Sequence, residues 1–157
     1  MYNNKVSQWT LDGQLYSGHA ERYYKGDVLK EKFSLMNGKK QNQSIEWYAD
    51  GLLKSEANYH NGKLHGEKKL WSPDTSHVLV SQLNYHLGKL HGEQLLWYTS
   101  GELYKKLNLN MGREEGMQQA FRKNGDLYAN YEALEGRIFG LKKASLCYGL
   151  EEEKVNY

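Results

Sequence analysis

The chain holds one cysteine, Cys147, and one proline, Pro73, in 157 residues. A single thiol closes no internal disulfide, so a reducing, cytoplasmic setting is the expectation. With one proline, the turns must come from glycine and asparagine. No run of about 18 apolar residues occurs, so no membrane-spanning helix is expected. The opening "MYNNKVSQWTLDG" has no apolar stretch of signal-peptide length. Charge is nearly balanced, at a formal +2, which predicts no general attraction to nucleic acid. A glycine-rich phosphate loop, a nucleophile elbow and a Cys/His dyad are also missing. On that ground neither enzyme activity nor a cofactor is expected.

What the sequence does have is glycine, tyrosine and repetition. There are 16 Gly, 13 Tyr and 4 Trp. The mean hydropathy of -0.85 is low for a compact globule and suits a thin structure with much surface per residue. The stretch "NYHNGKLHGEKKLW" at 58–71 returns as "NYHLGKLHGEQLLW" at 84–97. Anchored on Gly66, the equivalent positions are Gly18, Asn42, Gly92, Gly116 and Gly140, with separations of 24, 24, 26, 24 and 24. The long interval carries two extra residues around Asp74–His77, where insertions belong to a loop.

Other columns keep the same register. Tyr23, Trp47, Trp71, Trp97 and Phe121 are all aromatic. Leu29, Leu53, Leu79, Leu103 and Leu127 are all leucine, and Phe33, Ala57, Leu83, Leu107 and Tyr131 follow four residues on. Within a unit the pattern has period two. In "LYKKLNL", Leu103, Lys105, Leu107 and Leu109 share one face, and Tyr104, Lys106 and Asn108 the other. Asn61-Gly62, Asp50-Gly51 and Asn124-Gly125 mark hairpin turns. Even "EGMQQAFRKNGD", the segment nearest to a helical pattern, reads as strand by its place in the repeat. The expected fold is all-β: an elongated single-layer antiparallel meander of about five to six β-hairpin repeats, twisted or curved. The array is expected over 1–140, with 141–157 as a closing strand and acidic tail.

"SIEWYADGLLKSEANYHNGKLHGE" and "GEQLLWYTSGELYKKLNLNMG" resemble the MORN-repeat variant found in bacterial proteins of the YwqK-type antitoxin family. The middle units, 42–116, carry the likeness. The first lacks the anchor glycine, and the stretch "EALEGRIFG" lacks Asn-Gly. The resemblance implies an elongated antiparallel sheet that binds proteins or membranes, and it implies a cognate bacterial toxin as partner.

Three sets of residues are candidates for function. His60, His65, His86 and His91 come as two copied pairs. Metal ligation needs a closed ligand set, and turn-flanking imidazoles are the expectation, with no metal. Lys39, Lys63, Lys89, Arg113 and Arg137 place a cation just past each hairpin turn. They form a basic row for an anionic partner, or solvated turn residues that discourage strand addition. Tyr24, Tyr48 and Tyr98 follow the aromatic column, and Tyr104 and Tyr128 follow the leucine column. Alternation puts all five on the face opposite the leucines, as a partner-binding face or as cross-strand packing. The leading expectation is a non-enzymatic protein-binding module, an antitoxin or immunity protein acting by direct binding. The alternatives are a peripheral membrane or phosphoinositide-binding scaffold on the basic row, and a scaffold pairing through its sheet edges.

Overall fold

The structure, a computed structural model, describes residues 2–3 and 8–141. Three short strands, β1 (Tyr2–Asn3), β2 (Gln8–Leu11) and β3 (Gln14–Leu15), make a small antiparallel sheet. The main sheet starts with β4 (Gly18–Tyr23), β5 (Leu29–Met36), β6 (Lys39–Trp47) and β7 (Leu53–His60). It continues through β8 (Lys63–Trp71), β9 (Leu79–His86), β10 (Lys89–Trp97) and β11 (Leu103–Asn110). It ends with β12 (Arg113–Glu114), β13 (Gly116–Phe121), β14 (Leu127–Leu134) and β15 (Arg137–Leu141). Spatial order follows chain order, all neighbours are antiparallel, and the two-residue β12 lies beside β11. Among the described residues there is no helix and no barrel closure. The expected all-β meander is therefore what forms. Of the expected 141–157 segment, Leu141 ends β15, and the rest lies outside the described residues.

Each unit has two kinds of turn. At one end of the strands are two-residue turns: Asn37-Gly38, Asn61-Gly62, Leu87-Gly88, Met111-Gly112 and Glu135-Gly136. Both residues of each have positive φ, the type I′ geometry that matches strand twist. So "EGR" makes the turn that "NGK" makes, without the asparagine. At the other end a longer loop is closed by backbone bonds such as Tyr48 N to Leu52 O and Tyr98 N to Glu102 O. In the unit with the insertion the closing bond runs from Ser72 N to Val78 O, so the two extra residues sit inside this loop.

The anchor column has a backbone explanation. Gly66, Gly92 and Gly116 have φ of 85°, 82° and 84°, and Asn42 holds the same left-handed region at 61°. A Cβ built on those three glycines would meet nothing closer than 3.7 Å, so φ, not crowding, selects glycine there. Asparagine is the residue that tolerates this region best after glycine, which is why the first unit survives its departure. At this point the ladder opens into a bulge. Leu90 pairs Tyr85 and Gln94 pairs Leu83, so four steps on β10 match two on β9.

A second bulge recurs near the aromatic column. Leu96 pairs Lys105 but Trp97 pairs Leu103, which leaves Tyr104 as the extra residue. The same shift falls at Trp47, Trp71 and Phe121. The simple alternation expected from Leu103 to Leu109 therefore breaks, because a bulge resets which side chain faces which side.

From Lys105 onward the register defines two faces. One carries Phe33, Ala57, Leu83, Leu107 and Tyr131, with Leu35, Tyr59, Tyr85 and Leu109 beside them. The other is polar and is laced by the pairs Lys69–Glu67 and Lys106–Glu93. At the N-terminal end the first face is closed. The Trp9 ring lies 5.0 Å from Phe33, and Trp9 and Tyr16 exchange backbone bonds with the Gly38 turn. Phe33 and Leu35 are accordingly 2% and 5% exposed.

Candidate functional site

The central part of the apolar face has no such cover. Leu64, Leu70, Leu83, Leu90, Leu96, Leu107 and Leu109, all from β8 to β11, are only half-buried. They are brought to one side by pairs such as Tyr59–Leu64, Leu83–Gln94 and Leu96–Lys105. No second layer packs on them among the described residues. Lys68 sits among them as the cross-strand neighbour of Ala57 and Leu83. A recess of about 390 Å³ continues this face toward β14, lined by Leu107, Ala120, Ala129, Tyr128 and Tyr131, with Lys105 at its side. Burial and a bond to Glu114 push the Tyr131 phenol up to about 12.

Beneath the leucines lies a repeated polar device that the sequence reading missed. Gln94 and Gln118 are 1% and 0% exposed. Gln94 Oε1 accepts the Asn84 N–H at 2.9 Å, while its Nε2 donates to Asn84 O and Gly92 O at 3.1 and 3.0 Å. The amide thus satisfies the backbone groups that the bulge takes out of the ladder. On the polar face the Asn84 side chain donates to Glu93 O at 2.7 Å, and Asn108 does the same to Met117 O at 2.8 Å. The signal was a Gly-x-Gln string facing Asn, present in two units only.

The tyrosines have structural tasks. Tyr24, Tyr48 and Tyr98 donate their hydroxyls to the backbone of the next unit: Trp47 O at 3.0 Å, Trp71 O at 2.7 Å and Phe121 O at 3.0 Å. Tyr98 is only 5% exposed, so it offers a partner almost no surface. Burial raises the Tyr48 phenol, with Asp50 and Asp74 adding to it and Lys54 opposing. Tyr104 packs on Tyr98 at 4.8 Å and lies under the Lys105 ammonium. Tyr128 lines the recess with Leu107 and Ala129, on the leucine side and not opposite it. Tyr104 and Tyr128 are the extra residues of their bulges, which strand alternation alone does not place.

The basic row is brought together. Lys39, Lys63, Lys89, Arg113 and Arg137 each pair with the residue before the turn, namely Met36, His60, His86, Asn110 and Leu134. Successive tips are joined by backbone bonds, Gly62 N to Lys40 O and Gly88 N to Leu64 O. The stems of Lys39 and Lys63 lie over Gly62 and Gly88 of the next turn.

The histidines, read as incidental turn-flanking groups, are assembled into one row on the polar side of these tips. Ring centroids are 5.7 Å apart for His60–His65, 5.1 Å for His65–His86 and 5.8 Å for His86–His91. His65 Nδ1 accepts the Leu87 N–H at 3.4 Å. Among the described residues no three His, Cys, Asp or Glu side chains are placed to hold a metal ion.

One carboxylate is fully enclosed. Glu31 is 1% exposed and is held by Lys40, by Arg22 at 3.1 Å and by Ser44 at 3.0 Å. Burial works to raise its pKa, but the bonds from Lys40, Ser44 and Arg22 outweigh it and hold the carboxyl below its ordinary value. The Lys40 ammonium also lies over the rings of Phe33 and Tyr59. The cluster fastens the start of the sheet. No protein-family model and no curated protein matches the chain.

Proposed function

We propose that this protein is a non-enzymatic binding sheet that docks another protein on the leucine face of β8–β11. The observation that carries the reading is the half-buried row Leu64, Leu83, Leu90, Leu107 and Leu109 on a hydrogen-bonded single layer. Contiguous apolar surface rimmed by charge is what interfaces use and monomers avoid. The repeat columns resemble those of the YwqK-type antitoxins, and a cognate bacterial toxin is the partner this suggests. Binding neutralises the toxin by covering its working surface.

The test is co-expression with a neighbouring gene whose product is toxic when expressed alone. The wild type is expected to restore growth, and Leu83→Lys with Leu107→Lys to abolish the rescue while the chain stays folded. Rescue that survives both lysines would refute the leucine face as the site. A second reading rests on the basic row, whose five cations line one edge of the sheet. In that reading the edge attaches to anionic lipid. Binding to phosphatidylserine or phosphoinositide vesicles should weaken with salt and with Lys63→Glu and Lys89→Glu.

A further inference from the structure

We infer that the imidazole row and the lysines beside it form a second docking strip, which takes an acidic polypeptide and grips it harder as pH falls. The strip is distinct from the leucine face. His60, His65, His86 and His91 come one from each of four consecutive strands, β7 to β10, with ring centroids 5.1–5.8 Å apart. Lys63 and Lys89 are the cross-strand partners of His60 and His86, so two permanent cations stand within the row. Histidine is the side chain whose ordinary titration falls between pH 5 and 8. A proton gained here adds to the line of single cations, and least readily at His65, whose Nδ1 would give up the Leu87 N–H.

Glu67 and Glu93, the nearby carboxylates of this face, already have lysine partners, and Glu115 beside Asn110 offsets part of the charge at the His91 end only. On β8 the closest carboxylate of the same face, Glu67, is held by Lys69 at 2.8 Å. On β10, Glu93 is held by Lys106 of β11 at 2.8 Å. Beyond β10 the neighbouring tip has Asn110, which donates to Glu115, beside Arg113. On the β6 side the neighbours are Lys39 and Gln41, whose amide meets His60 Nδ1 at 3.4 Å. From β7, Glu56 lies across from Lys69 at the far end of the strand. The added positive charge then faces solvent, where an anionic ligand can meet it.

The ligand is a polypeptide on grounds of shape and chemistry. The strip is one line of turn tips, and the same face away from it carries Glu56, Glu67, Glu93 and Glu132, of which Lys69 and Lys106 pair only Glu67 and Glu93. A flat anionic membrane would meet those acids too, whereas a chain follows the strip. The only rings on the strip are the imidazoles themselves, and no Tyr, Trp or Phe of the described residues stands beside them to stack a base, as single-stranded nucleic acid binding uses.

A control variant is written into the repeat itself. In the preceding unit Gln41 Oε1 accepts the Asn61 N–H at 2.8 Å, the place where His65 Nδ1 accepts from Leu87. Glutamine is thus a native solution at the position of His65 and His91, and Met36 and Asn110 stand where His60 and His86 do, so His60→Gln, His65→Gln, His86→Gln and His91→Gln together should leave the fold intact. The probe is poly-L-aspartate, whose carboxylates stay ionised at pH 5.5. The wild type is expected to bind it at least about tenfold tighter at pH 5.5 than at pH 7.5, with strong salt dependence. The quadruple variant should keep the pH 7.5 affinity and lose the gain. Equal wild-type affinity at the two pH values, or a gain that persists without the histidines, overturns the proposal. A pH gain seen only with phosphatidylserine vesicles or single-stranded DNA overturns the polypeptide assignment. Toxin rescue depends on the leucine face, so either result stands apart from that reading.

Discussion

The side chain of Gln118 acts as the missing strand partner of Asn108. Its Oε1 accepts the Asn108 N–H at 3.3 Å, and its Nε2 donates to the Asn108 carbonyl at 2.7 Å and to Gly116 O at 3.2 Å. A glycine bulge costs the ladder its hydrogen bonds, and a buried amide two residues on restores them. The third unit has Lys68 where the next two have Gln94 and Gln118. Its bulge, between Ala57 and Tyr59, opens without an amide to fill it.

Replacing Gln118 by Leu should therefore cost about 1–3 kcal/mol, because it leaves the Asn108 N–H unpaired, while the Asn108 carbonyl keeps the Glu115 N–H at 3.0 Å. Lys68→Gln should stabilise by about 1 kcal/mol, by giving Asn58 the amide its equivalents have. Lys68→Leu separates this from simple burial. Urea unfolding measures all three. If Lys68→Leu gains as much as Lys68→Gln, the amide is not the reason.

Leu87 and Met111 occupy left-handed turn positions at φ 49° and 51°, where Asn37 and Asn61 stand in earlier units. A non-glycine side chain there costs about 1–2 kcal/mol, less for asparagine. Both are also exposed, at 44% and 42%, so little packing is lost on replacement. Leu87→Asn and Met111→Asn should each raise stability by about 0.5–1 kcal/mol, read as a higher urea midpoint at unchanged slope. A fall in midpoint would show that these tips pack on something the turn geometry does not reveal.

The turn glycines, the insertion and the repeat length were legible because positive φ can be met by few residues, and those residues recur in print. The bulges were not. Tyr104 sits in an unbroken alternating string, and only the partner strand shows that it is the extra residue. Gln94 was hidden because Ser44 and Lys68 hold the same position in other units. The histidine row was hidden for a different reason: residues 60, 65, 86 and 91 meet only through the register of four strands. Nor does composition say that Trp9 covers Phe33 while nothing comparable covers Leu83.

Glu31 gives the sheet an acid limit. Its folded pKa lies below the unfolded value of 4.5, so its contribution is fully present above that value. It is lost as pH falls from about 4.5 through the folded pKa. Glu31→Gln should cost about 1–3 kcal/mol at pH 7, since the partly buried Lys40 loses its counter-charge. The variant should also lose less stability than the wild type between pH 5 and 2.5. Melting curves over that range check the sign, and parallel wild-type and variant curves would remove Glu31 from the account.

Tyr48 and Tyr98 tie each unit to the next. Each hydroxyl donates to a backbone carbonyl 23 residues on, at 2.7 and 3.0 Å. In an array stabilised by nearest neighbours, such bonds set the coupling between units as well as the total stability. Tyr48→Phe and Tyr98→Phe should each cost about 1 kcal/mol. Tyr98→Ala should cost roughly 3–5 kcal/mol, because a nearly buried ring packed on Tyr104 is removed. The phenylalanine variants should also broaden unfolding, with backbone amides of the flanking strands exchanging at different rates on either side of the lost bond. Hydrogen exchange resolves this strand by strand. If Tyr98→Phe lowers protection evenly from β4 to β14, the hydroxyl contributes to stability but does not couple the units. If Tyr98→Ala leaves the fold intact and reduces partner binding alone, the tyrosine belongs to the interface after all.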